Sequence, residues 1–391
     1  MGYFTEYLNM GIVNNFDLLS QERKKQLKEF QKIRGNNRDI MVYASDLTKN
    51  SPNDINYDDK LAFYDQIPNS KNTAIDVIIE TPGGFAEVVE DLVRNLREKY
   101  SDIAVIVPGY AKSAGTIFAM AADDILMGSI SALGPIDAQI ITNGKVYSAG
   151  AFLDGLENIR AEIEAKQALE LAYIPILQNI SPGEIEHCEK SQEFSQKLVR
   201  DWLCKYKFKN WNIHNSNGKV VTEEEKSQIA NDIAEKLAEN SEWKTHGKSL
   251  NVTDLENLGL RITDFSKNDK LNDAIMRYYT LMRMSFEGGA IYKIFETPDT
   301  QIYKMLPINV QLAPPTPPNV ENILIDVDCP KCKSHYQVVA PFGKILEENK
   351  GCIPFPQNNI LFCKKCHEKI DLSQARNDIE RQFNKKIEIN E

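Results

Sequence analysis

The chain has 391 residues, of which 42% are hydrophobic and 26% are charged, and 46 Lys and Arg against 56 Asp and Glu leave a net charge of −10. This composition is that of a globular protein and excludes a largely disordered chain. The negative balance argues against broad binding to nucleic acid or anionic membranes, since both depend on clustered cations. No apolar run reaches the ~18–20 residues of a membrane helix. The first residues lack the basic start and apolar run of a secretory signal, so we expect a soluble, cytoplasmic protein.

Predicted strands and helices alternate along the first third of the chain. In order, they are a charged helix at 21–33, a strand at 40–44, a buried strand at 75–79, a helix at 85–99, a second buried strand at 103–107, a small-residue helix at 113–122 and a strand at 125–127. Short β-branched runs that end in glycine-containing turns are typical of strands buried on both faces of a parallel sheet. The alternation predicts an α/β domain built from βαβ units.

The elements predicted further along the chain are mostly helical. They are a long helix at 152–178, an irregular segment at 205–221, helices at 223–239 and 253–258, a strand at 260–263, a helix at 271–286 and a hairpin at 290–305. Five prolines between 307 and 318 predict a stiff, extended linker. We therefore expect a main domain over 1–265, a helix–hairpin extension over 266–306, a linker over 307–320 and a cysteine-rich domain over 321–391.

Two glycine-containing turns follow the two buried strands, at the edge where open α/β sheets place their sites. The first contains Gly83 and Gly84, whose amides can approach an oxyanion closely. The second leads to Ser113, which starts the small-residue helix and precedes the amide of Ala114. A hydroxyl beside free amides is suited to acyl transfer. A serine that only caps the helix is the simpler interpretation of the spacing alone.

Four motifs in order resemble the serine dehydrogenase proteinase family. They are TPGG at 81–84, VPGYAKSAGT at 107–116, AADDI at 121–125 and LGPIDAQ at 133–139, with a weaker likeness at 243–246 and 258–260. That family has the Clp/crotonase fold of repeated ββα units, which it shares with signal peptide peptidase A and the Clp protease proteolytic subunit. The resemblance implies that Ser113 is the nucleophile of a serine peptidase. It also implies an oxyanion hole of the Gly83 and Ala114 amides, with Gly84 beside them, and a homo-oligomer.

The catalytic base is less clear from the sequence. Asp137 and its neighbours stand where the Clp subunit has its histidine, so a Clp-type triad is not expected. Lys166 lies 53 residues after Ser113, a spacing similar to that of the lysine in signal peptide peptidase relatives. Its predicted helix face is apolar, which would lower its pKa and favour a general base. Glu162 and Glu170 would instead hold it charged in helix ion pairs.

Other bases and other functions remain open. Lys112 and Lys145 are alternative bases, whereas His187 and His246 are interpreted as histidines without a chemical role. We expect an intracellular serine endopeptidase with a Ser–Lys dyad and an acyl-enzyme intermediate. The alternatives are an inactive scaffold of the same fold, or a crotonase-like enzyme acting on acyl-CoA, for which we identify neither an adenine pocket nor an acid–base carboxylate.

Four of the seven cysteines form two C-x-x-C pairs, Cys329 with Cys332 and Cys363 with Cys366, separated by 30 residues. Two such pairs present four thiolates to one ion, the tetrahedral set that Zn²⁺ prefers in structural sites. We therefore predict one structural zinc per chain in a zinc-ribbon-like domain that docks protein partners rather than nucleic acid. The less favoured ligands are Cys352, His335 and His367, and dithiol exchange is the alternative chemistry.

Overall fold

The computed structural model describes residues 2–12, 15–142, 145–214, 218–239, 247–307, 321–343, 349, 351–383 and 385–388, without the side chains of 139–147. The chain divides into two compact units, Met1–Pro307 and Ile308–Glu391. The predicted proline-rich linker falls at this boundary, and its residues 308–320 lie outside the described ranges. Within those ranges, no helix combines the length and the apolar character that crossing a membrane requires.

The first unit combines a mainly parallel sheet with helices. Its strands are β1 (Arg38–Ser45), β2 (Ala74–Glu80), β3 (Asp102–Val107), β4 (Tyr110–Ala111), β5 (Asp124–Met127), β6 (Ala132–Leu133), β7 (Gln139–Thr142), β8 (Lys145–Ser148), β9 (Thr263–Asp264), β10 (Ile291–Glu296) and β11 (Gln301–Met305). Its helices are α1 (Tyr3–Asn9), α2 (Phe16–Arg34), α3 (Asp59–Asp65), α4 (Ala86–Lys99), α5 (Ala114–Met120), α6 (Ala149–Lys166), α7 (Ile174–Leu177), α8 (Pro182–Trp202), α9 (Glu223–Ala238), α10 (Val252–Asn257) and α11 (Asp269–Glu287).

Seven of these strands form the central sheet, in the order β11-β10-β1-β2-β3-β5-β9. Within this sheet, neighbouring strands in the series β1, β2, β3, β5 and β9 pair in parallel. β10 pairs with β1 in the antiparallel direction. Every residue of β2 is buried, because alternate side chains enter two different apolar cores. Val77 and Ile79 belong to one core, and Ile78 belongs to the core on the other face. The predicted α/β class and the buried parallel strands are confirmed.

Several elements differ from the predictions. The predicted helix at 152–178 is instead α6 and α7, because α6 ends where Gln167 adopts a left-handed backbone (φ 49°). Helix α8 and the β7–β8 hairpin were missed, although Ser181 and Glu184 form a capping box at the start of α8. The hairpin at 290–305 is confirmed, but it forms the edge of the central sheet rather than a separate extension.

The second unit is small and rich in strands. Its elements are β12 (Asn322–Asp328), β13 (His335–Pro341), β14 (Ile353–Pro354), β15 (Ile360–Phe362), β16 (Lys369–Asp371) and α12 (Ser373–Phe383). β12 and β13 pair antiparallel, β14 pairs parallel to β13, and β15 and β16 form a separate hairpin. Its apolar core contains few large side chains and includes Cys329 and Cys363.

Candidate active site and metal centre

Ser113 occupies a strained turn at the carboxyl edge of the central sheet. After β3 the chain passes through β4 to Ser113, whose φ of 48° and ψ of −118° are unusual for a non-glycine residue. Such a conformation costs on the order of 1–3 kcal/mol and persists only where surrounding structure enforces it. The Ser113 side chain makes no capping hydrogen bond to α5. The interpretation of Ser113 as a helix cap is therefore wrong.

The turn after β2 lies directly against Ser113. Gly83 has a φ of +110°, and a Cβ there would lie 2.6 Å from the Ser113 Cβ and 3.2 Å from the Ala114 nitrogen. The Gly83 amide donates to Thr81 Oγ1 at 3.2 Å. The amides of Gly84 and Ala114 have no acceptor among the described residues. The turn therefore leaves two backbone donors available near the serine.

A cleft of about 440 Å³ opens beside Ser113. Its lining combines apolar side chains with acidic and polar ones: Pro82, Phe85, Ile117, Ile136 and Phe194, and Asn53, Asp54, Glu87, Asp137, His187 and Ser191. A partly apolar, concave surface around a few convergent polar groups is the usual form of a small-molecule or peptide site.

The side chain of Lys112 points away from this cleft. Its Nζ donates to the carbonyl oxygens of Leu133 (3.1 Å) and Lys248 (2.9 Å) and to Ser249 Oγ (2.9 Å). Burial, with the positive charge of Lys248, lowers the pKa of Lys112 to about 8. Lys112 thus ties the 248–249 segment to the end of β6, and it does not line the cleft.

Lys166 lies on the exposed side of α6. Its Nζ donates to Glu162 and, at 2.6 Å, to Glu170, and 52% of its side chain is exposed. The hydrogen bonds that Lys166 donates to these two carboxylates raise the pKa of Lys166. The expected fall in its pKa is therefore wrong, and the helix ion pairs are observed instead. Lys166 does not line the cleft, and its role as a base stays a prediction.

The other lysine and histidine candidates differ in their placement. The Lys145 side chain and the whole of His246 lie outside the described residues. His187 lines the cleft together with Ser113, although no role was expected for it from the sequence. It was missed because α8 was missed. The capping box at Ser181 would have placed His187 and Ser191 one turn apart on the same helix face.

Glu80, the last residue of β2, is fully buried beneath the two turns. Its Oε1 accepts a hydrogen bond from Arg283 Nη1 at 3.0 Å. Burial raises the pKa of Glu80 to about 7, although Arg283 and Tyr279 act in the opposite direction. A Cβ on Gly109 would overlap both the Glu80 carboxylate and the Tyr279 hydroxyl, so this acid packs against the turn that leads to Ser113.

We expect the first unit to lose stability as the pH rises because of Glu80. Its folded-state pKa of about 7 exceeds the ordinary value of 4.5, so its contribution is fully present below pH 4.5 and lost between there and pH 7. The loss is at most about 3 kcal/mol. Glu80→Gln should reduce the fall in unfolding free energy with rising pH, as measured by denaturant unfolding between pH 4.5 and 8. All three tryptophans precede residue 307, so their fluorescence reports this unit.

The matched control for that experiment is Glu98→Gln, at an exposed position on α4. It should leave the pH dependence of the unfolding free energy unchanged. A Glu80→Gln variant with the wild-type slope would show that Glu80 is already ionised at low pH in the folded protein.

These features define a class of α/β proteins, in which a serine in a strained turn faces backbone amides at the carboxyl edge of a parallel sheet. Residues 55–222 match the family model of ClpP-like SDH-type serine proteinases. This match confirms the predicted similarity to the serine dehydrogenase proteinase family and the predicted Clp-like fold.

Two relatives come from Methanocaldococcus jannaschii. The uncharacterized protein MJ1495 is 34% identical over 188 residues, which cover 48% of this chain and 51% of that protein. The uncharacterized protein MJ0137 is 38% identical over 104 residues, 27% of this chain and 35% of that protein. The match thus spans about half of the first relative and a third of the second.

Among solved structures, a mutant of the 1510-N membrane-bound stomatin-specific protease aligns with 28% of this chain and 58% of its own. The sequence identity is 20% and the TM-score is 0.22. A similarity at this level carries no argument about function.

The four cysteines of the two C-x-x-C pairs, which we call knuckles, lie together in one cluster in the second unit. All four Sγ atoms lie within 4.8 Å of one another, with 3.6 Å between Cys329 and Cys366 and 3.4 Å between Cys332 and Cys363. A tetrahedral ion with Zn–S bonds of about 2.3 Å requires S···S separations of about 3.8 Å. The cysteines therefore fit one metal ion.

Both knuckles have the same backbone turn. Lys333 and His367, each directly after the second cysteine of its pair, have φ values of 58°. The Lys333 amide donates to the Cys329 carbonyl and the His367 amide to the Cys363 carbonyl, both at 2.9 Å. Among the described residues, the substitute ligands Cys352, His335 and His367 all lie outside the cluster.

Proposed function

We propose that the protein is a serine peptidase whose nucleophile is Ser113. The observation that carries this proposal is the strained Ser113, which makes no capping hydrogen bond and lines a cleft beside two amides that have no acceptor in the described part of the chain. The family of residues 55–222 supports the same class of activity. The chain spans only part of its relatives, so the substrates are open.

In the proposed reaction, the base takes the Ser113 hydroxyl proton as Ser113 Oγ attacks the carbonyl carbon of a peptide bond in the cleft. The amides of Gly84 and Ala114 donate to the developing oxyanion, with Gly83 holding the turn against the serine. Donors that are already oriented stabilise this charge without reorganisation in the transition state. The amine leaves with a proton from the protonated base, and water then hydrolyses the acyl-enzyme.

A fluorophosphonate probe tests this proposal directly. The probe forms a covalent bond to an activated serine, and peptide mass spectrometry identifies the modified residue. We expect modification at Ser113. A fully folded protein that shows no modification at Ser113 would contradict the proposed activity and favour an inactive scaffold.

For the base, we propose Lys166 and the Ser–Lys dyad. This role requires the Lys166 amine to leave Glu162 and Glu170 and to contact the Ser113 hydroxyl during catalysis. Helix α6 and the segment after it permit such a rearrangement, because no residue between 151 and 187 is buried within the single chain. Lys166→Met should then lower kcat by about 10²–10⁴-fold.

The carboxylate partners of Lys166 predict how peptidase activity depends on pH. Because Glu162 and Glu170 raise the pKa of Lys166, the neutral amine is scarce at neutral pH, and kcat/KM should rise with pH. Glu162→Gln removes one partner and lowers that pKa, so the rise should move to lower pH. Glu164→Gln is the matched control, since Glu164 on the same helix bonds Arg160 instead. An unchanged profile in Glu162→Gln would rule out Lys166 as the base.

We further propose that the protein forms homo-oligomers through the segment 151–187. Its apolar side chains include Leu169, Leu171 and Ile176, which are 45%, 81% and 51% exposed. An exposed run of apolar side chains is characteristic of a surface that another protein covers. Light scattering of the wild type against Leu171→Glu, with a smaller mass for the variant, would test this interface.

We also propose that the cysteine cluster holds one structural Zn²⁺. Four thiolates complete a tetrahedral shell and leave no open position for substrate, so the ion would stabilise the second unit and take no part in hydrolysis. The docking of protein partners by this unit and the cytoplasmic location stay predictions.

A further inference from the structure

Ile55, a buried residue in the segment before α3, braces the turn that carries Gly83 and Gly84. The Ile55 amide donates to the Gly83 carbonyl at 2.6 Å, and the Phe85 amide donates to the Ile55 carbonyl at 2.9 Å. Ile55 is fully buried. Gly84 has a φ of +145°, and a Cβ there would overlap the Ile55 backbone. Gly84 is thus held against Ile55, and the neighbouring Gly83 lies against the serine turn.

One lysine on β10, the strand next to the sheet edge, holds this segment in place. Lys293 on β10 donates from Nζ to the Asp54 carbonyl at 2.6 Å and to both carboxylate oxygens of Asp59, at 2.9 and 2.7 Å. Both Lys293 and Asp59 are fully buried. Lys293 therefore binds the backbone just before Ile55 and the first residue of α3 together.

Asp59 has further partners that complete its buried environment. Its Oδ2 accepts from the Tyr43 hydroxyl at 2.8 Å and from the Asn56 amide at 3.0 Å. Lys304 donates to Oδ1 at 2.8 Å and is partly exposed. Lys304 makes no hydrogen bond to Asp54. Among the described residues, only Lys293 therefore joins the Asp59 carboxylate to the Asp54 carbonyl.

We propose that Lys293 is a positioning residue for the oxyanion hole. Through Asp54 and Asp59 it fixes Ile55 against the Gly83–Gly84 turn, and so sets the direction of the Gly84 amide. The structural part of this inference is independent of the proposed function, and only the expected effect on catalysis rests on that function. Removal of Lys293 leaves Asp59 with one cation instead of two and releases the Asp54 carbonyl. Removing one partner of a buried ion pair is costly, because the remaining charge is left poorly compensated.

The catalytic consequence is specific to the transition state. A displaced Gly84 amide loses its contact with the oxyanion, whereas the apolar walls of the cleft still bind the substrate. Removal of one oxyanion donor costs about 10²–10³ in kcat. We therefore expect kcat to fall while KM changes little. Because unfolded protein would also lower the apparent kcat at constant KM, kcat is expressed per folded enzyme.

The experiment compares Lys293→Met with Lys304→Met in the full-length protein. Amide hydrogen exchange measures protection of the Ile55 and Phe85 amides without any reference to activity. Peptide hydrolysis gives kcat and KM. In Lys293→Met we expect exchange at both amides to rise at least about tenfold and kcat to fall about 100-fold. Lys304→Met removes a cation from the same carboxylate and should change each value less than about threefold.

Asp59→Asn is the second variant if Lys293→Met does not fold. It keeps the shape of the side chain and weakens the ion pair. Amide exchange should therefore rise and kcat should fall as in Lys293→Met, but by smaller factors. Unchanged exchange at Ile55 and Phe85 in a folded variant, with an active wild type, would overturn the positioning role alone. A wild type that neither hydrolyses peptides nor reacts at Ser113 would overturn the proposed function, and with it the catalytic role of Lys293.

Discussion

Ser113→Ala should lower peptide hydrolysis by at least about 10³-fold, the largest effect that we expect from a single substitution in the first unit. The Ser113 hydroxyl makes no capping hydrogen bond, so its removal should change the unfolding free energy by less than about 1 kcal/mol. Activity is measured with a fluorogenic peptide library, and stability is measured by denaturant unfolding.

Ser101→Ala is the matched control for that substitution. Ser101 lies next to the start of β3, and its side chain is exposed at the opposite edge of the sheet from Ser113. It should keep wild-type activity. A Ser113→Ala protein that retains activity in several independent preparations would show that another residue is the nucleophile.

Cys363→Ser should abolish metal binding and unfold the second unit. That unit has a small apolar core in which Cys329 and Cys363 are buried and Cys332 and Cys366 are partly buried, so the proposed metal–thiolate bonds would supply much of its folding free energy. The protein as purified without chelator should contain about one zinc per chain by elemental analysis. The variant should contain none, and limited proteolysis should digest residues after 320 much faster than in the wild type.

The matched control in the second unit is Cys352→Ser. Cys352 belongs to the same unit but lies outside the four-cysteine cluster, so this substitution should preserve both the zinc content and the resistance to protease. Peptidase activity of Cys363→Ser separates the roles of the two units. Unchanged zinc content in Cys363→Ser would contradict the assignment of these four cysteines as ligands.

The sequence was most informative where local pattern decides structure. The β-branched runs predicted β2 and β3, the glycines predicted the turn at 83–84, and the C-x-x-C spacing predicted the thiol cluster. Each of these features depends on neighbouring residues, whose conformations are constrained by steric fit or by ligand geometry.

The sequence was misleading where a side chain depends on what packs over it. Lys166 shares a helix face with apolar residues, and a covering surface would have lowered its pKa. Within the single chain nothing between 151 and 187 is buried, so the carboxylates of Glu162 and Glu170 decide its charge instead. His187 was missed for a related reason, since α8 brings it to the cleft from 74 residues beyond Ser113.

The sequence by itself therefore determined the fold class, the candidate nucleophile and the two C-x-x-C pairs of the cysteine cluster, because each depends on short local motifs. Only the tertiary structure decided the φ of Ser113, which amides are free, and the contact of Ile55 with the Gly83–Gly84 turn. The buried pair of Lys293 and Asp59 joins segments 234 residues apart. Such contacts follow from the order of strands in the sheet, which no local pattern specifies.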